Sequence, residues 1–138
     1  MARKRKAKLS HYLISDDFRR EVNDKVTLVG ITIKKKIPLQ IPSIIPTICF
    51  NLFLKDVFHE DKFRATLTDP QQKEILKVDG LSVKFPEDKL SGDCILTIIA
   101  NGMKIEKEGP YLFKLFLNNE SKEFGSFTIQ FIKFKSKE

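Results

Sequence analysis

The sequence has 138 residues, 41% of them hydrophobic, and carries 25 Lys and Arg against 18 Asp and Glu, for a net charge of +7. A chain of this length is typical of one domain that buries its core without a metal or disulfide staple. The composition therefore excludes a disordered chain, a collagen-like chain and a cysteine-rich mini-scaffold, and it leaves little room for a two-domain enzyme.

The N-terminus is the most basic part of the chain. Residues 1–8 hold five bases and no acid, which leaves 20 bases against 18 acids in the rest. Such a run is typical of a disordered basic tail, and we expect residues 9–138 to form the folded domain. The tail is either an arm that binds phosphates of nucleic acid or anionic lipid, or a solubilising extension without a partner. The candidate nucleic-acid-binding residues are Arg3, Lys4, Arg5, Lys6 and Lys8.

No segment of the sequence resembles a secretory signal or a membrane-spanning helix. The longest apolar run, residues 44–54, is too short to cross a bilayer as a helix and contains Pro46 and Asn51. Cys49 and Cys94 lie within apolar runs and are interpreted as small core residues in a reducing compartment, although a disulfide between them stays open. We therefore expect a cytoplasmic protein that does not contact a membrane.

Hydrophobic residues recur at every second position in most of the chain, the pattern of strands buried on one face. Residues 47–54 and 94–100 are more continuously apolar and are predicted to be central strands. Gly, Asn, Asp and Pro mark the turns between the runs. The predicted strands are residues 9–15, 25–34, 47–54, 62–68, 73–78, 94–101, 111–117 and 124–134. About eight strands without an amphipathic helix indicate an all-β sandwich or barrel, and of the two we expect a single antiparallel β-sandwich.

A proline segment, residues 37–46, separates the second and third predicted strands. Its prolines, Pro38, Pro42 and Pro46, disfavour helix and central-strand pairing and favour an extended path. The apolar residues between them either cover an open edge of the fold or meet a partner protein. The candidate partner-binding residues are Ile37, Leu39, Ile41 and Ile44.

Residues 11–31 resemble the opening of an uncharacterised bacterial family of small single-domain proteins. The positions that carry the resemblance are Asp16, Asp17, Arg19, Glu21, Lys25, Leu28, Gly30 and Ile31. The later Thr68-Asp69-Pro70 and Gly109-Pro110-Tyr111 are similar to further landmarks of that family. The resemblance implies a β-rich fold of immunoglobulin or C2-like appearance, and it implies no activity.

Candidate chemistry is sparse. Asp16 and Asp17 are interpreted as turn residues paired with Arg19 or Arg20, or less simply as ligands of a divalent cation. His11 and His59 lack a nucleophile motif, and no zinc spacing or phosphate-binding glycine loop occurs. We therefore expect no enzyme, no metal and no cofactor, but a cytoplasmic interaction module for an unknown protein. The alternative is a nucleic-acid-associated protein that binds phosphates through its tail.

Overall fold

The computed structural model describes residues 6–22, 25–32, 36–85 and 89–134. This part of the chain folds into ten strands, and it confirms the predicted all-β class. The strands are β1 (Lys8–Ser15), β2 (Asp17–Arg20), β3 (Val26–Val29), β4 (Lys36–Leu39), β5 (Ser43–Phe58), β6 (Lys62–Thr68), β7 (Glu74–Ser82), β8 (Ser91–Ile105), β9 (Gly109–Leu117) and β10 (Gly125–Lys133).

All eight predicted strands are present, but the predicted number of about eight is too low for the described chain. The two additional strands, β2 and β4, are four residues long. Four residues give too short a period-two pattern to recognise, and β4 contains Pro38, which argues against a strand in sequence.

Three sheets result from the pairing of these strands. One has three strands in the order β1-β5-β8, one has five in the order β4-β10-β9-β6-β7, and β2 and β3 form a hairpin. The pairing is antiparallel except between β4 and β10, which run parallel. The purely antiparallel prediction is therefore wrong at this edge, where Pro38, without an N–H, is tolerated.

The inward faces of the two larger sheets share one hydrophobic core. Phe50 of β5 meets Phe113 of β9 with ring centroids 5.1 Å apart, and Phe113 stacks on Phe127 of β10 at 4.6 Å. Tyr12 of β1 also stacks on Phe127, with ring centroids 3.7 Å apart. Aromatic contacts thus join β1 and β5 to β9 and β10 across the core.

The two continuously apolar runs occupy different places in the three-stranded sheet. The run in β5 is central, as predicted, with neighbours on both sides. The run in β8 was predicted to be central, but β8 lies at the edge and pairs with β5 alone among the described strands. Sequence pattern reports how apolar a strand is, whereas the position of the strand in the sheet depends on contacts distant in sequence.

The proline segment packs on the protein's own core. Ile37 and Leu39 of β4 and Ile41 beyond it are half-buried against the core cluster. Ile44, at 61% exposure, is the one of the four predicted partner-binding residues that faces solvent. The first part of the segment, in β4, therefore covers the edge of the five-stranded sheet, the first of the two roles that sequence left open. Residues 43–46 instead begin β5 of the three-stranded sheet and run beside β8, although Pro46 was expected to disfavour central-strand pairing.

The ordered body begins before residue 9. Residues 1–5, with Arg3, Lys4 and Arg5, lie outside the described residues. Ala7 is 3% exposed, and Lys8, assigned to the tail by sequence, begins β1. Lys6 pairs with Glu120 at 2.9 Å. The predicted boundary between tail and domain, after residue 8, thus lies inside β1. The buried Ala7 already belongs to the folded domain.

Cys49 and Cys94 are both free thiols. Cys49 lies opposite Ile99, on the outward face of the three-stranded sheet, and Cys94 lies opposite Leu54, which points into the core. Two cysteines on opposite faces of a sheet cannot form a disulfide without moving the backbone. In the described part of the chain, no helix is long and apolar enough to cross a bilayer.

Candidate interaction surface

The outward face of the three-stranded sheet carries side chains in rows that the strand register aligns. His11, Phe53 and Ile95 form the first row across β1, β5 and β8. Residues directly opposite one another in a sheet project from the same face, so each row is a contiguous strip. The second row consists of Leu13, Asn51 and Thr97, and the third of Ser15, Cys49 and Ile99.

The first row is apolar and borders a cavity. The His11 ring stacks on Phe53 with centroids 4.1 Å apart and an interplanar angle of 15°. A cavity of about 260 Å³ adjoins this stack. The residues that line it are Ser10, His11, Phe53, Leu54, Lys55, Asp93, Cys94 and Ile95. Its floor is apolar, and its charged residues, Lys55 and Asp93, have opposite signs, so it fits an apolar group better than an ion.

A hydrogen-bonded polar cluster lies next to the first row on the same face of the sheet. The Asn51 side chain donates to the Leu13 carbonyl at 3.0 Å and to the Ser15 hydroxyl at 2.9 Å. It accepts from the Thr97 hydroxyl at 3.0 Å. One buried amide thereby joins all three strands. Its hydrogen-bonding groups are used within the sheet, and the cluster is a structural support, not a free binding site.

The β2–β3 hairpin extends the polar cluster towards the other end of the sheet. The Ser15 hydroxyl donates to the Asp17 carbonyl at 3.0 Å, and Cys49 beside it is fully buried. Burial, followed by the nearby Asp17 carboxylate, raises the pKa of the Cys49 thiol. A protonated, enclosed thiol is a poor nucleophile, so this row holds no reactive cysteine.

Ile99 differs from its row neighbours because it is 51% exposed. We define the outer apolar face as His11, Phe53 and Ile95 of the first row and Ile99 of the third, which project from the same side of the sheet with the polar cluster between them. Large apolar side chains grouped on one side of a sheet are typical of surfaces that contact other molecules. The outer apolar face is the candidate interaction surface of this protein.

Ser10 and His11 are the closest approach to a nucleophile and its base. The Ser10 hydroxyl lies 3.2 Å from His11 Nδ1, and both side chains are exposed. A catalytic pair also needs a carboxylate or amide that orients the imidazole. No acid of the described chain makes a hydrogen bond or ion pair with His11, so the structure does not assemble a triad there.

A larger cavity of about 720 Å³ lies between the β5–β6 turn, β7 and the β9–β10 turn. Its most prominent cation, Arg64, is already engaged by the protein. The guanidinium lies 4.0 Å from the centroid of Phe116, donates to the Glu120 carbonyl at 3.1 Å and lies 4.0 Å from Asp79. These contacts hold the three neighbouring segments together. Because the guanidinium of Arg64 is used in them, it is not available to bind an anion in this cavity.

The carboxylates near the N-terminus adopt the structural role proposed from sequence. Asp17 accepts from the Phe18 N–H at 2.8 Å and pairs with Arg19 at 3.3 Å. Asp16 packs against Gly30, whose φ is 68°, and a Cβ at that glycine would lie 2.3 Å from the Asp16 carboxylate. Within the described ranges, no three or more His, Cys, Asp and Glu residues are grouped to hold a metal ion.

Sequence reasoning missed the outer apolar face as a group of residues. Phe53 and Ile95 were assigned to central strands, where both faces are covered. Their exposure depends on what lies over the three-stranded sheet, and no local pattern contains that information. A usable signal was Asn51, since an amide inside an otherwise apolar run marks a face that is not part of the core.

One known protein family matches nearly the whole fold. The sequence model of a family of unknown function, DUF6941, matches residues 10–130. No curated protein matches the chain. The match includes β1 through most of β10 and the Asp16–Gly30 contact, and it confirms the predicted relation to an uncharacterised family. The chain belongs to the family of unknown function DUF6941.

Proposed function

We propose that this protein is a non-enzymatic interaction module that binds another protein on the outer apolar face. The observation that carries the proposal is the apolar cavity beside the His11–Phe53 stack, which is lined by all three residues of the outward-facing first row. An apolar side chain of a partner would fill this cavity, with Lys55 and Asp93 at its margin as hydrogen-bonding groups.

The fold and the state of the cysteines support the same proposal. We infer that the two larger sheets form a single sandwich of immunoglobulin or C2-like type, an architecture that commonly presents binding surfaces on its sheets and loops. Both cysteines are free, as is usual in reducing compartments, and we therefore propose a cytoplasmic location without membrane contact.

The test replaces the central residue of the face. Phe53→Ser should abolish co-purification of the partner from native cells, because it removes the stacked ring and the wall of the cavity. Leu112→Ser is the matched control, since Leu112 is also half-buried on a central strand but faces outward from the five-stranded sheet. Circular dichroism and thermal unfolding establish that both variants are folded.

Two results would contradict this proposal. One is an unchanged set of co-purified proteins with folded Phe53→Ser. The other is the same loss of partner with Leu112→Ser, which would move the binding surface to the opposite sheet.

Binding of nucleic acid through the N-terminal bases is the second candidate function. Three of its five residues, Arg3, Lys4 and Arg5, have no acid near them in sequence. Lys6 already pairs with Glu120, so it contributes less than a free base. Phosphate binding by an arm of this kind is electrostatic and weakens as salt increases.

The test of this candidate is a substitution, because deletion of residues 1–8 would remove buried Ala7 and the first residue of β1. Replacing Arg3, Lys4 and Arg5 by Ser should weaken binding to duplex and single-stranded DNA and lower its salt dependence. The log–log slope should fall by about 0.9 for each lost contact with duplex DNA and by about 0.7 for each lost contact with a single strand. Replacing Lys62, Lys77 and Lys122 by Ser is the control of equal charge. Equal losses in both variants, or no DNA binding by the native chain, would exclude the arm.

A further inference from the structure

The edge strand β8 has the sequence of a strand with neighbours on both sides. Its residues 94–100 contain no charged residue, no glycine and no proline. Edge strands of soluble proteins are ordinarily protected, because their unpaired N–H and C=O groups pair readily with another strand. The apolar, uncharged sequence of residues 94–100 is therefore unusual for a strand at the edge of a sheet.

The other edges of the two larger sheets carry such protection in the described chain. On β1, the Ile14 carbonyl accepts from the Thr32 N–H at 2.8 Å. β4 contains Lys36 and Pro38. β7 is interrupted by register shifts and by Gly80, with φ 68°, and carries charged residues. β8 is the exception over residues 94–100, because its charged residues and glycines, Gly92, Asp93, Gly102 and Lys104, lie outside this stretch.

The β8 edge is also accessible. Residues 99–104 line one side of a groove of about 460 Å³, whose other side consists of Lys73, Glu74, Ile75 and Leu76. Ile99, on the outward side of the same strand, is 51% exposed. An additional strand laid along β8 would cover part of Ile99 and supply partners for the open backbone groups.

The sequence of β8 is complementary to itself in the antiparallel direction. With Thr97 opposite Thr97 of a second copy, Ile95 lies opposite the second copy's Ile99, and Asp93 lies opposite its Asn101. β-branched pairs of this kind stabilise a sheet, and no two like charges meet. The two charged residues of β8, Asp93 and Lys104, have opposite signs at opposite ends, so the antiparallel arrangement brings an acidic end beside a basic end.

We propose that two copies of this chain associate through their β8 edges, antiparallel and two-fold symmetric about Thr97. The pairing joins two three-stranded sheets into one continuous six-stranded sheet and is isologous, so it closes after two copies. It places the two outer apolar faces side by side on one surface. The proposal goes beyond the proposed function, since it requires no other protein.

The first test is the oligomeric state of the purified full-length chain by sedimentation equilibrium over a wide range of concentration. The native chain should be a dimer, and Ile99→Lys should be a monomer, because a lysine would lie opposite the second copy's Ile95. Thr128→Lys is the matched control, an exposed strand residue that faces outward from the other sheet, and it should stay dimeric. A native chain that is monomeric throughout, or Ile99→Lys that dimerises like the native chain, would overturn the proposal.

The second test checks the register by disulfide formation. In a Cys49→Ala/Cys94→Ala background, which removes the thiol directly opposite residue 99 in the same chain, the double variant Ile95→Cys/Ile99→Cys should oxidise to a covalent dimer. The reason is that directly opposed Cβ atoms are about 4.5–5.5 Å apart. Each single variant faces an isoleucine and should stay largely uncrosslinked. Equal crosslinking of the single and double variants, or none in the double variant, would rule out the register.

These readouts separate the dimer from the proposed function. Phe53→Ser lies on β5, away from the edge, and should lose the partner protein while it remains dimeric. A Phe53→Ser result that contradicts the interaction module would leave the dimer measurements unaffected, and a monomeric native chain would leave the partner assay unaffected.

Discussion

Asp69 shows at the scale of one residue how a turn is connected to the rest of the fold. Its carboxylate accepts from the N–H groups of Gln71 and Lys73, each at 2.9 Å, and lies 3.7 Å from the Lys107 ammonium. The Tyr111 hydroxyl donates to the Lys107 carbonyl at 2.7 Å. One carboxylate therefore fixes the β6–β7 turn and joins it to the segment before β9.

The contacts of Asp69 predict how stability depends on pH. The hydrogen bond from Lys73, then that from Gln71 and the charge of Lys107, outweigh burial and lower the pKa of Asp69. A folded-state pKa below the unfolded one stabilises the fold above the unfolded value, and this stabilisation disappears as pH falls through the lowered folded value. Asp69→Asn should thus be less stable than the native protein at neutral pH, and the difference should shrink on acidification.

Urea unfolding at neutral pH and below the ordinary Asp pKa of about 3.9 measures this difference. Glu60→Gln is the control, since Glu60 is an exposed carboxylate whose replacement should change stability by no more than about 0.5 kcal/mol. A difference between native protein and Asp69→Asn that does not change with pH would contradict the assignment.

At the scale of the element, the proline segment shows how a motif that suggests a binding site becomes part of the scaffold. β4 pairs in parallel with β10, with Ile37 opposite Phe131 and Pro38 opposite Ile132. The Leu39 carbonyl accepts from the Phe134 N–H at 2.5 Å. Because alternate residues of a strand point to opposite faces, this pairing turns Ile37 and Leu39 towards the core.

The position of the proline segment predicts unequal effects of truncating its isoleucines. Ile37→Ala should lower the free energy of unfolding by about 1–2 kcal/mol, less than for a fully buried isoleucine because Ile37 is half-buried. Ile44→Ala should change it by no more than about 0.5 kcal/mol, because Ile44 faces solvent. Urea unfolding of both variants measures this, and equal losses would mean that the segment does not pack as described.

At the scale of the whole molecule, the aromatic contacts across the core join the two larger sheets into one folding unit. Phe113 lies at their centre, in contact with Phe50 of the opposite sheet and with Phe127 of its own. Removing this ring leaves a cavity that touches both sheets, and protein interiors relax only partly around such cavities.

Phe113→Ala should therefore lower the free energy of unfolding by about 3–5 kcal/mol, within a single cooperative transition. Phe134→Ala, at 56% exposure, is the control and should have an effect within about 0.5 kcal/mol. Chemical denaturation followed by circular dichroism provides both values. Two separate transitions in the native protein would contradict a core shared by the sheets.

Sequence alone determined eight of the ten described strands, because the period of two is a property of neighbouring residues. In the predicted strand 62–68, for example, the alternating residues Phe63, Ala65 and Leu67 are the buried face of β6. Sequence also identified the resemblance to a family without an assigned activity, but no pattern in it pointed to the cavity beside Phe53.

Only the tertiary structure decided which strands are neighbours. The apolar runs of β5 and β8 look alike in sequence, yet one lies in the middle of a sheet and the other at its edge. The difference arises because the order of strands depends on contacts between residues far apart in the chain, such as Cys49 opposite Ile99. The same long-range contacts turn Ile37 inwards and leave Ile99 exposed, so they, and not the local pattern, decide which apolar residues meet another molecule.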